Sequence, residues 1–88
     1  MTKSDSQLKN DSIDGYLHEC RIKMGETIRL IREKKGYNQE QLAEIMKVSR
    51  TTISKIESGK FNYSIDYLSK FSWFLGFEFE IYERKKNK

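Results

Sequence analysis

Apolar residues recur at helical spacing in the first half of the chain. The stripe consists of Leu17, Met24, Ile28 and Ile31, with charged residues around it. The helical spacing starts at about Gly15. Gly36 follows two lysines and predicts the end of this helix, because glycine adopts the left-handed cap conformation at low cost and cations favour a helix C-terminus. The pattern therefore predicts a long first helix.

Three further helices are indicated by residues that favour helix N-termini. Asn38, Ser49 and Ser64 each precede an apolar run and can accept a hydrogen bond from a backbone N–H of the first turn. Gly59 and Gly76 stand where the last two of these helices should end. The apolar positions expected to face a shared core are Leu42, Ile45 and Met46, then Ile53 and Ile56, then Ile65, Leu68, Phe71 and Leu75.

After Gly76 the spacing changes to a two-residue repeat. Phe77, Phe79 and Ile81 form one side of the repeat, which is typical of a half-buried strand. A single strand leaves its backbone groups unpaired, and the chain offers no second strand. The simplest partner is the same segment of a second chain, paired antiparallel across a two-fold axis. An irregular tail is the alternative.

The length of 88 residues allows one domain. We expect residues 1–14, which are mostly polar, to form a flexible N-terminal arm. Residues 15–76 would form the helical domain, residues 77–83 the dimerisation strand and residues 84–88 a charged tail. Because no apolar run is long enough to cross a membrane and the N-terminus lacks the order of a signal peptide, we expect no membrane contact and a cytoplasmic location.

Cysteine and histidine counts exclude several kinds of site. Cys20 is the only cysteine and His18 the only histidine, so neither a disulfide within the chain nor a Cys/His zinc site is possible. A catalytic Ser-His-Asp or Cys-His arrangement would have to use His18, which lies in a polar segment. The sequence therefore predicts no enzyme activity, no metal and no cofactor.

Positive charge is concentrated in one short segment. The net charge is +4 over the whole chain, but residues 1–20 are acidic on balance. The window from Lys47 to Lys60 carries four basic residues and a single glutamate. Such a segment is the electrostatic pattern expected of a surface that faces phosphates.

The run from Gln39 to Gly59 carries the most specific pattern, QEQLAEIMKVSRTTISKIESG. It resembles the Cro-like (XRE) phage-repressor helix-turn-helix family, whose core positions are occupied here by Leu42, Ala43, Val48, Ile53 and Ile56. The resemblance covers about residues 24–76. It implies an all-α, lambda-repressor-like DNA-binding domain of four to five helices, to which this chain adds one C-terminal β-strand that pairs across a dimer.

Two positions depart from the family pattern. Lys47 stands at the turn position that glycine usually holds, and a left-handed conformation there would cost on the order of 1 kcal/mol. A contact between its basic side chain and a phosphate would offset that cost. Tyr63 stands where many relatives have proline, which alters the start of the fourth helix without threatening it.

The resemblance and the geometry of the major groove together assign roles on DNA. A helix that enters the groove directs its N-terminal side chains to base edges. The expected base-reading residues are Arg50, Thr51, Ser54 and Lys55. The expected phosphate-binding residues are Gln39, Lys47, Ser49, Thr52, Lys60 and Asn62. The resemblance also implies a structural ion pair between Arg32 and Glu57, which would tie the first helix to the end of the third.

These patterns predict a transcriptional repressor that binds a palindromic operator in double-stranded DNA as a homodimer. The order of residues 65–82 also resembles the end of HipB-like antitoxins, which implies an autorepressor that binds a cognate toxin protein. A stand-alone repressor is the other interpretation of the tail. From a different class, the chain would be a protein-interaction adaptor that keeps the fold without binding DNA. An adaptor would be distinguished by partner binding that does not depend on salt and by a surface without a basic patch.

Overall fold

The chain folds into four α-helices in a computed structural model that describes residues 12–84. They are α1 (Ile13–Lys34), α2 (Gln39–Met46), α3 (Arg50–Glu57) and α4 (Ile65–Leu75). Residues 12–84 contain no β-strand, so the predicted all-α class is confirmed. No helix in this part of the chain is long and apolar enough to cross a membrane.

The first helix begins slightly earlier than the periodicity indicates. The hydroxyl of Ser12 accepts a hydrogen bond from the backbone N–H of Gly15 at 3.0 Å, which caps α1 and brings Ile13 and Asp14 into the helix. Most of the expected N-terminal arm, residues 1–11, and residues 85–88 of the expected tail lie outside the described residues. At the other end, Gly36 follows the helix with a φ of +89°, as predicted.

The three predicted N-caps are present. Asn38 and Gln41 form a reciprocal capping box, in which the side chain of each accepts a hydrogen bond from the backbone N–H of the other. Ser49 accepts a hydrogen bond from the N–H of Thr52, and Ser64 accepts one from the N–H of Tyr67. These bonds satisfy backbone donors that no helical carbonyl reaches. The starts of α2, α3 and α4 are therefore local properties of the sequence.

The core lies where the three short helices meet the C-terminal half of α1. α2 packs against α3, α1 packs against α3, and α4 contacts both α1 and α2. The buried apolar residues of this core are Ile28, Leu42, Ala43, Met46, Ile53, Ile56, Leu68, Phe71 and Leu75. Burial of these side chains holds the helices together, since helices of 8 residues are not stable by themselves.

Two of the predicted core positions, Ile45 and Ile65, are exposed within the chain, and so are Leu17 and Met24 of the apolar stripe of α1. The expectation that Ile45 and Ile65 are buried is therefore wrong for the single chain. For Leu17 and Met24 the reason for the exposure is length, because the 22 residues of α1 span about 33 Å whereas α2 and α3 span about 12 Å each. Ile65 is the first residue of α4, at the edge of the packed helices. The short helices cannot cover the whole apolar stripe of α1, so its N-terminal part remains open.

The helix crossing between α1 and α3 depends on Gly25. A Cβ atom at this position would lie 2.3 Å from the carbonyl oxygen of Ile56 and 2.6 Å from that of Glu57. Gly25 therefore lets α1 approach the backbone of α3 directly. Helical periodicity did not single out this residue, because a glycine within a helix resembles any other weak helix former.

Candidate DNA-binding interface

The turn between α2 and α3 is built around a left-handed lysine. Lys47 has φ 59° and ψ 46°, so it adopts the left-handed conformation considered for this position, where relatives have glycine. The backbone N–H groups of Lys47 and Val48 donate to the carbonyls of Glu44 and Ala43 at 3.2 Å and 3.0 Å. Val48 is half-buried and packs against the core. The turn therefore fixes the direction in which α3 leaves α2.

The two faces of α3 differ sharply. Ile53 and Ile56 are completely buried and anchor the helix to the core. Of the four predicted base-reading residues, Arg50, Thr51 and Lys55 are exposed and Ser54 is half-buried. The fold of the single chain therefore leaves the side chains of this face accessible along the helix.

Ser49 and Thr52 form one unit at the start of α3. Ser49 accepts the backbone N–H of Thr52 at 3.0 Å, and the two hydroxyl groups lie 2.8 Å apart, at hydrogen-bonding distance. Both residues were predicted to bind phosphate. Their hydroxyls and the backbone N–H groups of the first turn lie at the end of α3 where the helix dipole favours an anion.

The predicted ion pair between Arg32 and Glu57 is present and buried. The guanidinium donates to both carboxylate oxygens, with N–O distances of 2.6 Å and 3.0 Å, and also to the carbonyl of Tyr37 at 2.7 Å. The hydrogen bond to Glu57 raises the pKa of Arg32, although burial acts in the opposite direction. Removal of one partner would leave a buried charge unpaired, at a cost of about 3–5 kcal/mol.

Gln39 belongs to this buried network as well as to the surface of α2. Its side-chain amide donates to Glu57 at 3.0 Å. The network thus links the start of α2 to the end of α3, and Glu57 accepts from both Gln39 and Arg32. The contact could not be predicted from the sequence, because nothing in the local pattern shows which carboxylate a glutamine reaches 18 residues away.

The remaining predicted phosphate-binding residues flank α3. Lys47 precedes the helix, and Lys60 and Asn62 follow it, with all three exposed. The backbone N–H of Lys60 donates to the carbonyl of Lys55 at 2.8 Å, which keeps Lys60 close to the C-terminal end of α3. Lysines therefore stand at both ends of the exposed face of α3, which spans about 12 Å.

Two carboxylates of α2 also face this region. Glu40 and Glu44 line a shallow depression together with Arg50 and Val48. Both precede the basic segment from Lys47 to Lys60 in the sequence. The interface is therefore mixed in charge on the α2 side of Arg50 and basic on the α3 side.

The predicted dimerisation residues lie after α4 and form no ladder within the described chain. Phe77 is half-buried against the core, Phe79 is 40% exposed and Ile81 is 97% exposed. The expected strand requires a second chain as its partner, so the pairing stays a prediction.

Comparison with known proteins assigns the fold to a family. Residues 28–81 match the family described as Helix-turn-helix. The chain belongs to this helix-turn-helix family, of the XRE type. This match includes the whole of α2, the turn at Lys47 and α3, and it extends through Ile81.

One curated relative and one solved structure illustrate the similarity. The chain is 36% identical over 50 residues to the competence pilus inhibition repressor of Acinetobacter baylyi, a match that covers 53% of this chain and 46% of the relative. The match thus spans about half the length of that protein. The restriction-modification controller protein C.AhdI from Aeromonas hydrophila superposes with a TM-score of 0.64 at 30% identity, over 68% of this chain and 91% of that chain.

Proposed function

We propose that this chain is a DNA-binding transcription regulator, a repressor that binds a palindromic operator as a homodimer. One observation carries the proposal: α3 is anchored by the buried Ile53 and Ile56 while its opposite face is open to solvent. A helix held in this way can enter the major groove without a rearrangement of the domain. The names of the repressor and the controller protein to which the chain is similar agree with this function.

Base reading would fall to the exposed side chains of α3. Arg50 can donate two hydrogen bonds to a guanine, and Thr51 can place its methyl group against a thymine methyl. Ser54 and Lys55 lie one turn further along the helix and would contact the next bases. Each good bidentate contact contributes about 1–3 kcal/mol of discrimination against a wrong base.

Phosphate contacts would position α3 in the groove. The cap unit of Ser49 and Thr52 offers hydroxyl groups at the start of the helix. The backbone N–H groups of Arg50 and Thr51 lie beside them, whereas that of Thr52 already bonds to Ser49. Lys47, Lys60 and Asn62 would bind phosphates on either side. Gln39 would contribute a second amide hydrogen, since one side-chain hydrogen bond already goes to Glu57.

The resemblance of the tail to antitoxins adds a toxin protein as a second partner in this proposal. A toxin gene beside the gene of this chain, and a stable complex of the two products, would support that role. An isolated gene would favour the stand-alone repressor. A repressor of either kind acts in the cytoplasm, and we propose that location.

The test compares Arg50→Ala, Lys60→Ala and Lys35→Ala on an operator selected by the chain from random duplex DNA. Arg50→Ala should lose discrimination at one base position in each half-site. Lys60→Ala should weaken binding to all sequences and flatten the logarithmic salt dependence by about one unit. Lys35, which lies beside Gly76 at the far end of α4, is the matched control and should leave both quantities unchanged.

The measurement is a titration of labelled DNA at several salt concentrations. Failure to select any sequence, together with binding that ignores salt, would contradict DNA recognition. That result would favour the adaptor function instead, in which the same fold serves a protein partner.

A further inference from the structure

An open apolar groove lies between the N-terminal half of α1 and the start of α4. We call it the docking groove and define it by the apolar side chains and the thiol that line it: Leu17, Cys20, Met24, Ile65 and Leu68. Leu17 is 44% exposed and Ile65 is 63% exposed, although both belong to apolar stripes of their helices. The groove therefore presents apolar surface that the described chain does not cover.

The chain's own C-terminal segment, residues 77–84, lies over the neighbouring part of the same surface. Phe77 and Phe79 line a second depression, which shares Met24 and Leu68 with the docking groove. The segment is held at its start, where the hydroxyl of Ser72 donates to the carbonyl of Phe77. Burial then falls along it, until Ile81 is 97% exposed. The segment thus leaves the surface before it reaches the docking groove.

We propose that the docking groove binds the C-terminal segment of a second copy of this chain, with the partner's Ile81 against Leu17 and Ile65. This inference rests on the homodimer of the proposed function and specifies where its two chains meet. In a two-fold dimer the contact occurs twice, because each chain supplies one groove and one segment. The α1 residues that the short helices leave open are then covered by the partner.

The chemistry of the segment suits this groove. Residues 77–81 alternate apolar side chains with Glu78 and Glu80, so one side of an extended segment can enter an apolar groove while its carboxylates stay at the rim. Two cations lie along this surface: Arg21 lines the docking groove, and Lys23 lines the neighbouring depression together with the chain's own Glu78. Opposite charges at the rim would orient the partner's segment and disfavour other apolar occupants.

The backbone of the segment points to the same occupant. The backbone N–H and C=O groups of Phe77 both bond to Ser72. No backbone ladder pairs residues 78–84 within the described chain, so their N–H and C=O groups are available for a strand partner. Antiparallel pairing with the partner's segment would lay a second strand beside Phe79, toward the open end of the surface. Hydrogen bonding of the strands and filling of the groove would then form together.

The chain carries its own reporter for this contact, because Cys20 lies in the docking groove and is the only cysteine. The variants Ile81→Cys and Tyr82→Cys each place a thiol on one side of the extended segment. After mild oxidation, non-reducing electrophoresis and peptide mass spectrometry would identify the disulfide formed. We expect a bond between Cys20 of one chain and the introduced thiol of the other in one of the two variants.

Several controls make the outcome decisive. Each thiol variant combined with Cys20→Ser should lose this bond, which separates it from a link between the two introduced thiols. A disulfide within one chain would show that the chain's own segment fills the groove, and would overturn the proposal. A dimer seen by sedimentation that forms no such bond would overturn it while leaving the homodimer intact. A monomer at all concentrations would instead contradict the homodimer itself.

A second experiment tests the docking groove without an introduced thiol or an oxidation step. Leu17→Glu places a charge in the docking groove at a partly exposed position, so the single chain should still fold, as circular dichroism would verify. The dimer dissociation constant should rise about tenfold or more. Ile13→Glu, at an exposed apolar position of α1 outside the groove, is the matched control and should leave it unchanged. An unchanged constant for Leu17→Glu would contradict the proposal.

Discussion

Gly25 sets how closely α1 packs against the end of α3. The carbonyl oxygens of Ile56 and Glu57 occupy the space that a side chain would need. These are backbone atoms, so no side-chain rotation relieves the overlap. The contact matters for function because Glu57 also holds the ion pair with Arg32 that joins the two helices.

Gly25→Ala should therefore destabilise the protein, although alanine has a higher helix propensity than glycine, by about 1 kcal/mol. The forced separation of α1 and α3 should lower the free energy of unfolding by about 1–3 kcal/mol. Urea denaturation followed by circular dichroism would measure the change. Thr27→Ala, at an exposed position of the same helix, is the control and should be neutral or slightly stabilising. An equal rise in the free energy of unfolding of both variants would contradict the close packing of α1 against α3.

Tyr63 buries a hydroxyl group that has no hydrogen-bond partner among the described residues. Burial also raises the pKa of Tyr63. The folded state therefore holds the phenolic proton more tightly than the unfolded state does. The free energy of unfolding keeps its full value below the ordinary tyrosine pKa of about 10. It falls as the pH rises from there through the higher pKa of the folded state, because only the unfolded state then loses the proton.

Tyr63→Phe should raise the free energy of unfolding by about 1 kcal/mol at neutral pH, because it removes an unpaired buried hydroxyl. The advantage of the variant should grow above about pH 10, where only the wild-type chain must keep a buried phenol protonated. Urea unfolding at pH 7 and at several values above pH 10 would test both effects. Tyr16→Phe, at an exposed tyrosine of α1, should show neither. A destabilised Tyr63→Phe would mean that the hydroxyl has a partner.

At the scale of the elements, α3 is a short helix whose two ends are fixed by different means. Its start is capped by Ser49, a local interaction. Its end is held by Glu57, which reaches α1 and α2 through Arg32 and Gln39. α4 has the same kind of N-cap, in which Ser64 takes the place that Ser49 has in α3. The two serines therefore allow capping to be separated from DNA contact.

Ser49→Ala and Ser64→Ala should each lower the free energy of unfolding by about 1 kcal/mol, the usual cost of a lost N-cap. Only Ser49→Ala should also weaken operator binding, since its hydroxyl lies beside Thr52 at the proposed phosphate site. Thermal unfolding and a DNA titration on the same preparations would compare the two. Equal losses of DNA affinity in both variants would show that Ser49 acts through stability alone.

At the scale of the whole molecule, the fold presents two surfaces of opposite character. One is the exposed face of α3, with lysines before and after it. The other is apolar and runs from the docking groove to Phe79 on α1, α4 and the C-terminal segment. A homodimer built on the apolar surface would cover it and leave two copies of α3 available for two half-sites.

Phe79→Asp should dissociate the dimer, because it places a carboxylate on the apolar side of the segment. Sedimentation equilibrium would measure the shift to monomer. Phe79→Leu, which keeps an apolar side chain, should retain the dimer. Since Phe79 also lines a depression of its own chain, urea unfolding of both variants at low concentration would verify that the monomer still folds. If the Phe79→Asp variant formed a dimer with an unchanged dissociation constant, that result would contradict the pairing of residues 77–83.

The local devices of this protein could be predicted from its sequence alone. The caps at Asn38, Ser49 and Ser64 and the apolar anchors of α3 follow from the preferences of residues close together in the chain. The left-handed turn at Lys47 opposes the preference of lysine and was considered only through the resemblance to a family. The pairing of Arg32 with Glu57 was also predicted, through the resemblance to a family rather than through spacing. Local chemistry was sufficient for the caps because each cap involves only a few neighbouring residues.

Only the tertiary structure decided how the elements share surface. The exposure of Leu17 and Ile65, the crossing at Gly25 and the contact of Gln39 with Glu57 depend on the lengths and angles of packed helices. Periodicity shows which side of a helix is apolar, but it does not show how far along that side another helix extends. Which apolar residues form the core, and which remain open to a partner, is therefore a property of the packed helices.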